Sequence, residues 1–551
     1  MSQQPSPTSE ELFQAGLDAE AAHNDLEALY KFTAALELGS NQIAIWLKIG
    51  NLFLRTMKYQ QAAETMEFVV GMEPGNLQAI YGLAISYFYL GRLEEACAFI
   101  DHAVEMQPDN SSFVLDRANI HSIARPDPQK KLALYREWGQ RFADPLVNSR
   151  PFHHDRAPDR ILRIGYVSGD MRDHAVAYFM EPVFAHHDPK QVDVHVFSTS
   201  KQQDATTKRL KILVPHWHDV SQITDDALYQ LIRKEKIDVL IDLSGHTQGH
   251  RLYVFARRAA PVQVTWLGYI GSTLGMKEMD YRLTDWGMDP FGNEQFYLEK
   301  LFRLHCMASY IPPANAPLEA APPMLRGNPP TLGSLNSSRK LTDQTLLVWK
   351  RILEARPDVQ LLLHVQETTI DDAVHTIEPR LVELGLPLDR IIVSPIVSME
   401  EFMSRGDIVD IALDSFPISG GTTTLHSLWM GLPIVAMNAT DAVSASTSTI
   451  LRGLGLEQWI ADDEEAYIAK VLHLLDHPEL LTEFRSRARP LLQKSLLMDY
   501  AGRCRDLETS YRQLWLNYLL GKAKFLMVQA PYANDLQQLR AAHEPSQGQS
   551  K

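Results

Sequence analysis

The segment Asp414–Pro433, DSFPISGGTTTLHSLWMGLP, has residue types and spacing suited to holding an anion. An apolar run (Ile408–Leu413) leads into an acidic residue and a glycine-rich loop with three threonines. A short amphipathic stretch, a Gly-Leu-Pro break and a second apolar run (Ile434–Met437) follow. That order predicts strand, loop, helix, turn and strand. Gly420 and Gly421 let backbone amides approach a ligand, and Thr422, Thr423 and Thr424 place hydroxyls and N–H groups at the helix start. A helix N-terminus carries about half a positive charge, which suits a pyrophosphate. No Gly-Lys-Ser/Thr follows, so the segment is not a P-loop. The plainer alternative is a glycine-rich turn that holds nothing.

The rest of the chain must supply the elements that position such a loop. Its 551 residues suffice for three or four folding units, and 45% hydrophobic with 22% charged residues is ordinary for globular domains. A net charge of −15 and a pI near 5.7 argue against a nucleic-acid or anionic-membrane surface. They leave room for a local basic pocket. The first twenty residues have neither a basic n-region nor an apolar h-region, and no run approaches eighteen apolar residues. Neither a signal peptide nor a spanning helix is expected. Three scattered cysteines (Cys97, Cys306, Cys504) suit a reducing compartment, so the cytoplasm is the expected location.

The N-terminal quarter repeats every 34 residues. Leu12, Trp46 and Ile80 share a register, as do Ala15, Ile49 and Leu83, and Gly16, Gly50 and Ala84. The same spacing joins Ala28, Ala62 and Ala96, then Phe32, Met66 and Ile100, and ends at Ser40, Pro74 and Pro108. This resembles the tetratricopeptide pattern, in which small residues let paired helices pack closely and proline stops the second helix. A fourth unit starts at Ser111 and loses register after His121; Pro126–Pro145 then reads as a capping or connecting helix. Such a solenoid serves either as architecture alone or as a groove for a protein segment.

From Ile161 the periodicity changes. Strand-length apolar runs at Leu162–Val167, Val192–Phe197, Val239–Ile241 and Val262–Trp266 alternate with helical stretches. A proline-rich stretch, Ile311–Pro330, reads as a linker. A second series follows at Thr331–Leu335, Val359–His364, Ile391–Val393, Ile408–Leu413 and Ile434–Met437. The pattern predicts two Rossmann-like halves with a ligand cleft at the carboxyl ends of their strands. The region Cys504–Lys524 reads as helical, with a polar end after it. His153-His154, His216-x-His218 and His246-x-x-x-His250 lack a cysteine or carboxylate cluster to complete a tetrahedral set, so no metal is expected.

The motifs occur in a telling order: repeats, LRIGYVSGDMRDHAVAYFMEP, APVQVTWLGYIGSTL, MDYRLTD, the Asn-x-x-x-Lys of SLNSSRKLT, and GGTTTLHSLWMGLP. From about residue 10 to 515 this order resembles the O-linked N-acetylglucosamine transferase family. The resemblance implies an α-solenoid followed by an α/β core of GT-B fold. It also implies an inverting protein O-glycosyltransferase that takes a nucleotide sugar, UDP-N-acetylglucosamine first, with no cofactor. The implied boundaries are 1–125 for the repeats (about three within 9–110), 126–158 for the connecting helix and 159–325 for the first Rossmann-like half. The second, nucleotide-sugar half takes 326–515, and 516–551 form a C-terminal helix and tail. A protein acceptor would lie along the repeat groove; neither nucleic acid nor a membrane is an expected partner, and the oligomeric state stays open.

Residue by residue, the resemblance makes His174 the cleft histidine, proposed as general base, and Lys340 the lysine on the donor diphosphate. Gly268 and Gly271 fall in the loop approaching the sugar, and Asn336 in the donor loop. Gly420, Gly421, Thr422, Thr423 and Thr424 form the diphosphate loop. His216 would line the cleft and Arg405 would lie near the nucleobase. The chemistry agrees: sugar transfer leaves negative charge on a departing pyrophosphate, which a fixed cation and a row of amides stabilise. No Asp-x-Asp triplet occurs. A histidine pKa near 6.5 suits proton transfer from a hydroxyl.

The chain departs from the family at three places. His426 replaces the helix-start acid that grips the ribose, Met399 replaces a lysine near it, and Ser337 or Ser338 stands for a glutamine. These changes remove a carboxylate and a cation from the expected donor pocket. They leave open a different nucleotide sugar on a surface or flagellar protein, or a non-catalytic scaffold. A free nucleotide-sugar hydrolase or epimerase is a third reading, one that leaves the repeats without a use.

Overall fold

A computed structural model describes residues 7–39, 42–125, 127–268 and 271–521. The N-terminal helices are Ser9–Ala21, Asp25–Glu37, Ile43–Arg55, Tyr59–Met72, Leu77–Leu90, Leu93–Met106 and Ser111–Ala124. Helices starting at 9, 43, 77 and 111 are 34 residues apart, as are those starting at 25, 59 and 93. The repeat positions are buried because each pair of helices closes on them: Ala28, Ala62 and Ala96 are fully buried, with Phe32, Met66 and Ile100 one turn on. A methyl on Gly16 would meet the Phe32 ring at 2.5 Å, so glycine lets this pair close. Pro74 and Pro108 each follow the C-cap of a second helix, while Ser40 lies outside the described residues.

Thirteen described strands follow: β1 (Leu162–Ser168), β2 (Val192–Ser198), β3 (His216–Asp219), β4 (Val239–Asp242), β5 (Val262–Thr265), β6 (Tyr281–Asp285), β7 (Lys300–Leu304), β8 (Thr331–Ser334), β9 (Gln360–His364), β10 (Ile391–Ser394), β11 (Ile411–Leu413), β12 (Ile434–Met437) and β13 (Ile460–Ala461). The first seven make the larger sheet. The larger is parallel throughout, in the order β3-β2-β1-β4-β5-β6-β7. Four strands went unread in the sequence because of what they carry. β3 is short and polar, β13 has two residues, and β6 and β7 bury Arg282, Thr284, Asp285 and Arg303. Those arginines are paired inside: Arg282 donates to the Ser272 carbonyl at 3.1 Å and Arg303 to that of Asp289 at 2.6 Å.

The chain forms two compact units. One combines residues 1–125, 327–402 and 415–418; the other combines 126–326, 403–414 and 419–551. In the first unit, β8, β9 and β10 pair in parallel, and the solenoid is fastened beside them. Lys58 pairs with Asp372 at 3.2 Å, and Arg380 donates to the Leu90 carbonyl at 3.0 Å.

In the second unit, β11, β12 and β13 pair in parallel. The helix Tyr500–Leu519 buries Cys504, Leu507, Tyr511, Leu514 and Trp515 in the core of the larger sheet. Its buried face packs with Leu162, Ile164 and Tyr166 of β1, and the Tyr511 and Tyr166 hydroxyls are 3.0 Å apart. The proline-rich linker is pinned. Arg489 donates to the Ala316 and Pro317 carbonyls at 2.7 Å, and Arg485 to that of Glu319 at 3.3 Å. The connecting helix runs Pro128–Trp138, and Pro126 lies outside the described residues.

Candidate functional site

The glycine-rich loop leaves β11 at Asp414, whose carboxylate accepts the Gly420 N–H and the Ser419 hydroxyl, each at 2.7 Å. Ser419 Oγ in turn accepts the Thr447 N–H at 2.9 Å, and the Thr447 hydroxyl donates to the Gly420 carbonyl at 3.2 Å. Thr424 Oγ1 lies 2.7 Å from the Thr447 hydroxyl. Gly420 and Thr424 are therefore buried and tie the loop down, whereas Gly421, Thr422 and Thr423 lie half-buried at the start of the helix Thr422–Trp429. A helix start of this kind suits an anion.

His174 follows β1 through the turn Gly169–Asp173 and caps the helix Ala175–His186. Its Nδ1 accepts the Val176 N–H at 3.3 Å and lies 3.7 Å from Asp170 Oδ1, with the ring 38% exposed. One turn later, Tyr178 meets the ring of His426 edge-on, centroids 6.0 Å apart. His426 is 3% exposed and its Nδ1 is 2.9 Å from the Tyr310 hydroxyl. Burial pushes its pKa down to about 4, so the imidazole is neutral at pH 7.

Gly268 ends the turn after β5. A methyl there would lie 1.9 Å from the Leu243 carbonyl oxygen, so only glycine lets the loop pass the end of β4. Gly271 lines a cavity of about 60 Å³ with Lys131, Tyr297 and Asp441, in which Lys131 Nζ and Asp441 Oδ2 pair at 2.6 Å. Arg405 is half-buried in the 3-10 turn Ser404–Asp407 before β11. His216 is not brought to this group. It opens the edge strand β3 opposite His195, which itself pairs with Gly165, three residues before the end of β1. At about 3.3 Å per residue, that holds it roughly 10 Å down the sheet from the carboxyl edge that carries His174.

In the other unit, Asn336 is buried after β8 and donates to Ser415 Oγ at 3.2 Å. Ser337 donates to Gln366 Oε1 at 2.6 Å, and Lys340 ends the 3-10 turn Ser338–Lys340, half-buried. Gly91 of the solenoid abuts that turn: a methyl on it would lie 2.9 Å from the Leu341 carbonyl oxygen. Met399, 38% exposed, opens the short helix Met399–Met403. Sequence reasoning missed Tyr178, Tyr310, Asp170 and Thr447. Asp170 and Tyr178 stand inside the DMRDHAVAYF motif; Tyr310 and Thr447 carry no signal of their own.

The model of glycosyl transferase family 41 matches residues 145–310 and 332–507, and a tetratricopeptide model matches 53–114. A tomato (Solanum lycopersicum) protein named "Probable UDP-N-acetylglucosamine--peptide N-acetylglucosaminyltransferase SPINDLY" is 35% identical over 393 residues, 70% of this chain and 42% of its own length. Its namesake from Petunia hybrida is 33% identical over 426 residues, 76% and 46% of the two chains. The chain spans under half the length of these curated relatives. A solved O-GlcNAc transferase mutant of Thermobaculum terrenum superposes with a TM-score of 0.83 at 32% identity, covering 95% of this chain and 100% of that one. That likeness carries the architecture read from the sequence, tetratricopeptide helices followed by two parallel-sheet α/β domains in the GT-B fold. The chain belongs to glycosyl transferase family 41.

Proposed function

We propose that this chain transfers a sugar from a nucleotide diphosphate, UDP-N-acetylglucosamine first, to side-chain hydroxyls of a protein segment, with inversion and without a metal in the chemical step. The observation that carries the reading is the loop Asp414–Thr424, whose internal carboxylate and threonine ties leave the helix start Gly421–Thr423 facing outward. Those amides suit a diphosphate, and Lys340 is the cation the family pattern assigns to it. The sugar–phosphate bond breaks with its electron pair going to the diphosphate, while the acceptor oxygen attacks the opposite face. The Gly268 turn shapes the loop near the sugar. The repeats would hold the acceptor, in the cytosol.

His174 can act in two ways. With Nδ1 accepting the Val176 N–H, a neutral ring keeps its proton on Nε2 and donates outward, positioning the donor or acceptor. As a base it must turn Nδ1–H toward Asp170, freeing an Nε2 lone pair for the hydroxyl proton. His426 favours a second donor reading, because a buried neutral imidazole stands where the family pattern has a carboxylate.

The test is a thermal-shift panel over uridine, guanosine, cytidine and thymidine diphosphates, followed by intact-mass analysis of proteins incubated with the matching nucleotide sugar. Binding at 100 times Kd stabilises by about 2.7 kcal/mol, which such a panel resolves. No nucleotide response and no mass gain would remove the proposal.

A further inference from the structure

Four polar residues share one face of the edge pair β2–β3. Asp193 and His195 alternate onto it from β2, and His216 and His218 from β3, with His195 in register against His216. The His195 and His216 rings stack with centroids 4.3 Å apart, and the Phe197 ring covers His218 at 4.7 Å. Asp193 Oδ1 lies 3.0 Å from His216 Nε2, and Oδ2 lies 3.5 Å from His195 Nε2. One ligand atom from each of these three residues falls within 4.8 Å of the other two.

The informative atom is His195 Nε2. The residue is 2% exposed, its Nδ1 is engaged by His218 Nε2 at 3.3 Å, and Nε2 is buried with no well-formed hydrogen bond, its nearest polar group being Asp193 Oδ2 at 3.5 Å. An orphaned buried polar atom in a native core requires a physical account. A cation supplies one. Tetrahedral Zn²⁺ with bonds of ~2.0–2.1 Å places its ligand atoms about 3.3 Å apart, near the 3.0 Å between Asp193 Oδ1 and His216 Nε2. His218 then fixes the orientation of His195 from behind, as outer partners of metal-bound histidines do.

The other mixed cluster, His187, Cys504 and Glu508, differs in this respect. Both ring nitrogens of His187 are taken there, Nδ1 by Glu508 at 2.9 Å and Nε2 by the Tyr166 hydroxyl at 2.8 Å.

We propose that Asp193, His195 and His216 form a binding site for one divalent transition-metal ion, Zn²⁺ by its ligand chemistry, with the fourth position open to water beside the half-exposed His216. The spacing of His216 and His218 alone could not show this set. Strand register supplies its carboxylate and its buried imidazole.

The full chain, stripped with a chelator and dialysed, is titrated with Co²⁺ while visible absorption is followed, then with Zn²⁺ by calorimetry. One equivalent of Co²⁺ is expected to give a tetrahedral-type band that Zn²⁺ abolishes, and Zn²⁺ is expected to raise Tm. His216→Gln and Asp193→Asn change exposed or half-buried positions, so folding is checked by their metal-free Tm. Each should lose the band and weaken Zn²⁺ binding by more than about a hundredfold, while His218→Phe should cost ~10–100-fold. Absence of a band at one equivalent overturns the site. So does wild-type affinity in both ligand variants, which would place the ion on others of the 20 histidines.

Discussion

Asp414 receives the Gly420 amide at 2.7 Å, so the proposed phosphate loop is shaped around a carboxylate of its own. The anion inside fixes one amide and one serine hydroxyl, and the outer amides begin one residue later.

Asp414→Asn should therefore damage both stability and binding. The new amide group must face one of two donors, leaving a buried group unmet at a cost of about 1–3 kcal/mol. Urea unfolding should show that loss, and the nucleotide-induced rise in Tm should disappear. A variant matching the wild type in both measurements would show that Asp414 does not set the loop.

Two cradle glycines should respond oppositely to alanine. At Gly268 the added methyl runs into the Leu243 carbonyl at 1.9 Å, and backbone cannot yield cheaply, so the cost should reach at least about 3 kcal/mol. At Gly421 the nearest atom is Ser446 Oγ at 3.4 Å, and the change should cost below about 1 kcal/mol. Denaturation midpoints of the two variants check the contrast.

His426 should make stability fall on acidification. Its folded pKa of about 4 lies below the unfolded value of 6.5, so the unfolded chain binds more protons between those limits. The histidine's contribution is full above pH 6.5 and is lost as pH drops toward 4. Between pH 7 and 5 this group alone should remove about 2 kcal/mol. His426→Gln cannot take up that proton, so its stability should fall less than the wild type's over the same interval. Equal slopes would refute the assignment.

His174→Ala and Lys340→Ala should each lower transfer by about a hundredfold or more. Asp170→Asn separates the two roles of His174. If the ring is the base, kcat falls and the acid limb of its pH profile moves; if it only positions, KM changes and the profile stays.

Much of the architecture was legible from patterning. The 34-residue period survives because every repeat buries the same small and large positions, and the helices start at that spacing. Apolar strands such as β1 and β4 stood out for the same reason. What failed was polarity inside the core: β6 reads YRLTD, and its buried Arg282 is met by the Ser272 carbonyl and the Asp289 carboxylate. In the site, three adjacent threonines look alike as letters. Only the pairing of Thr424 with Thr447, 23 residues on, turns one inward. The place of His216 along its strand, opposite His195, is invisible in the sequence until the register is known.

The Tyr500–Leu519 helix also sets an order of events at the ribosome. β1 emerges early, yet part of its covering arrives some 345 residues later with Tyr511. At ~5–20 residues per second, that apolar surface waits for tens of seconds. The covering of β1 is therefore completed only when translation has delivered the last large helix.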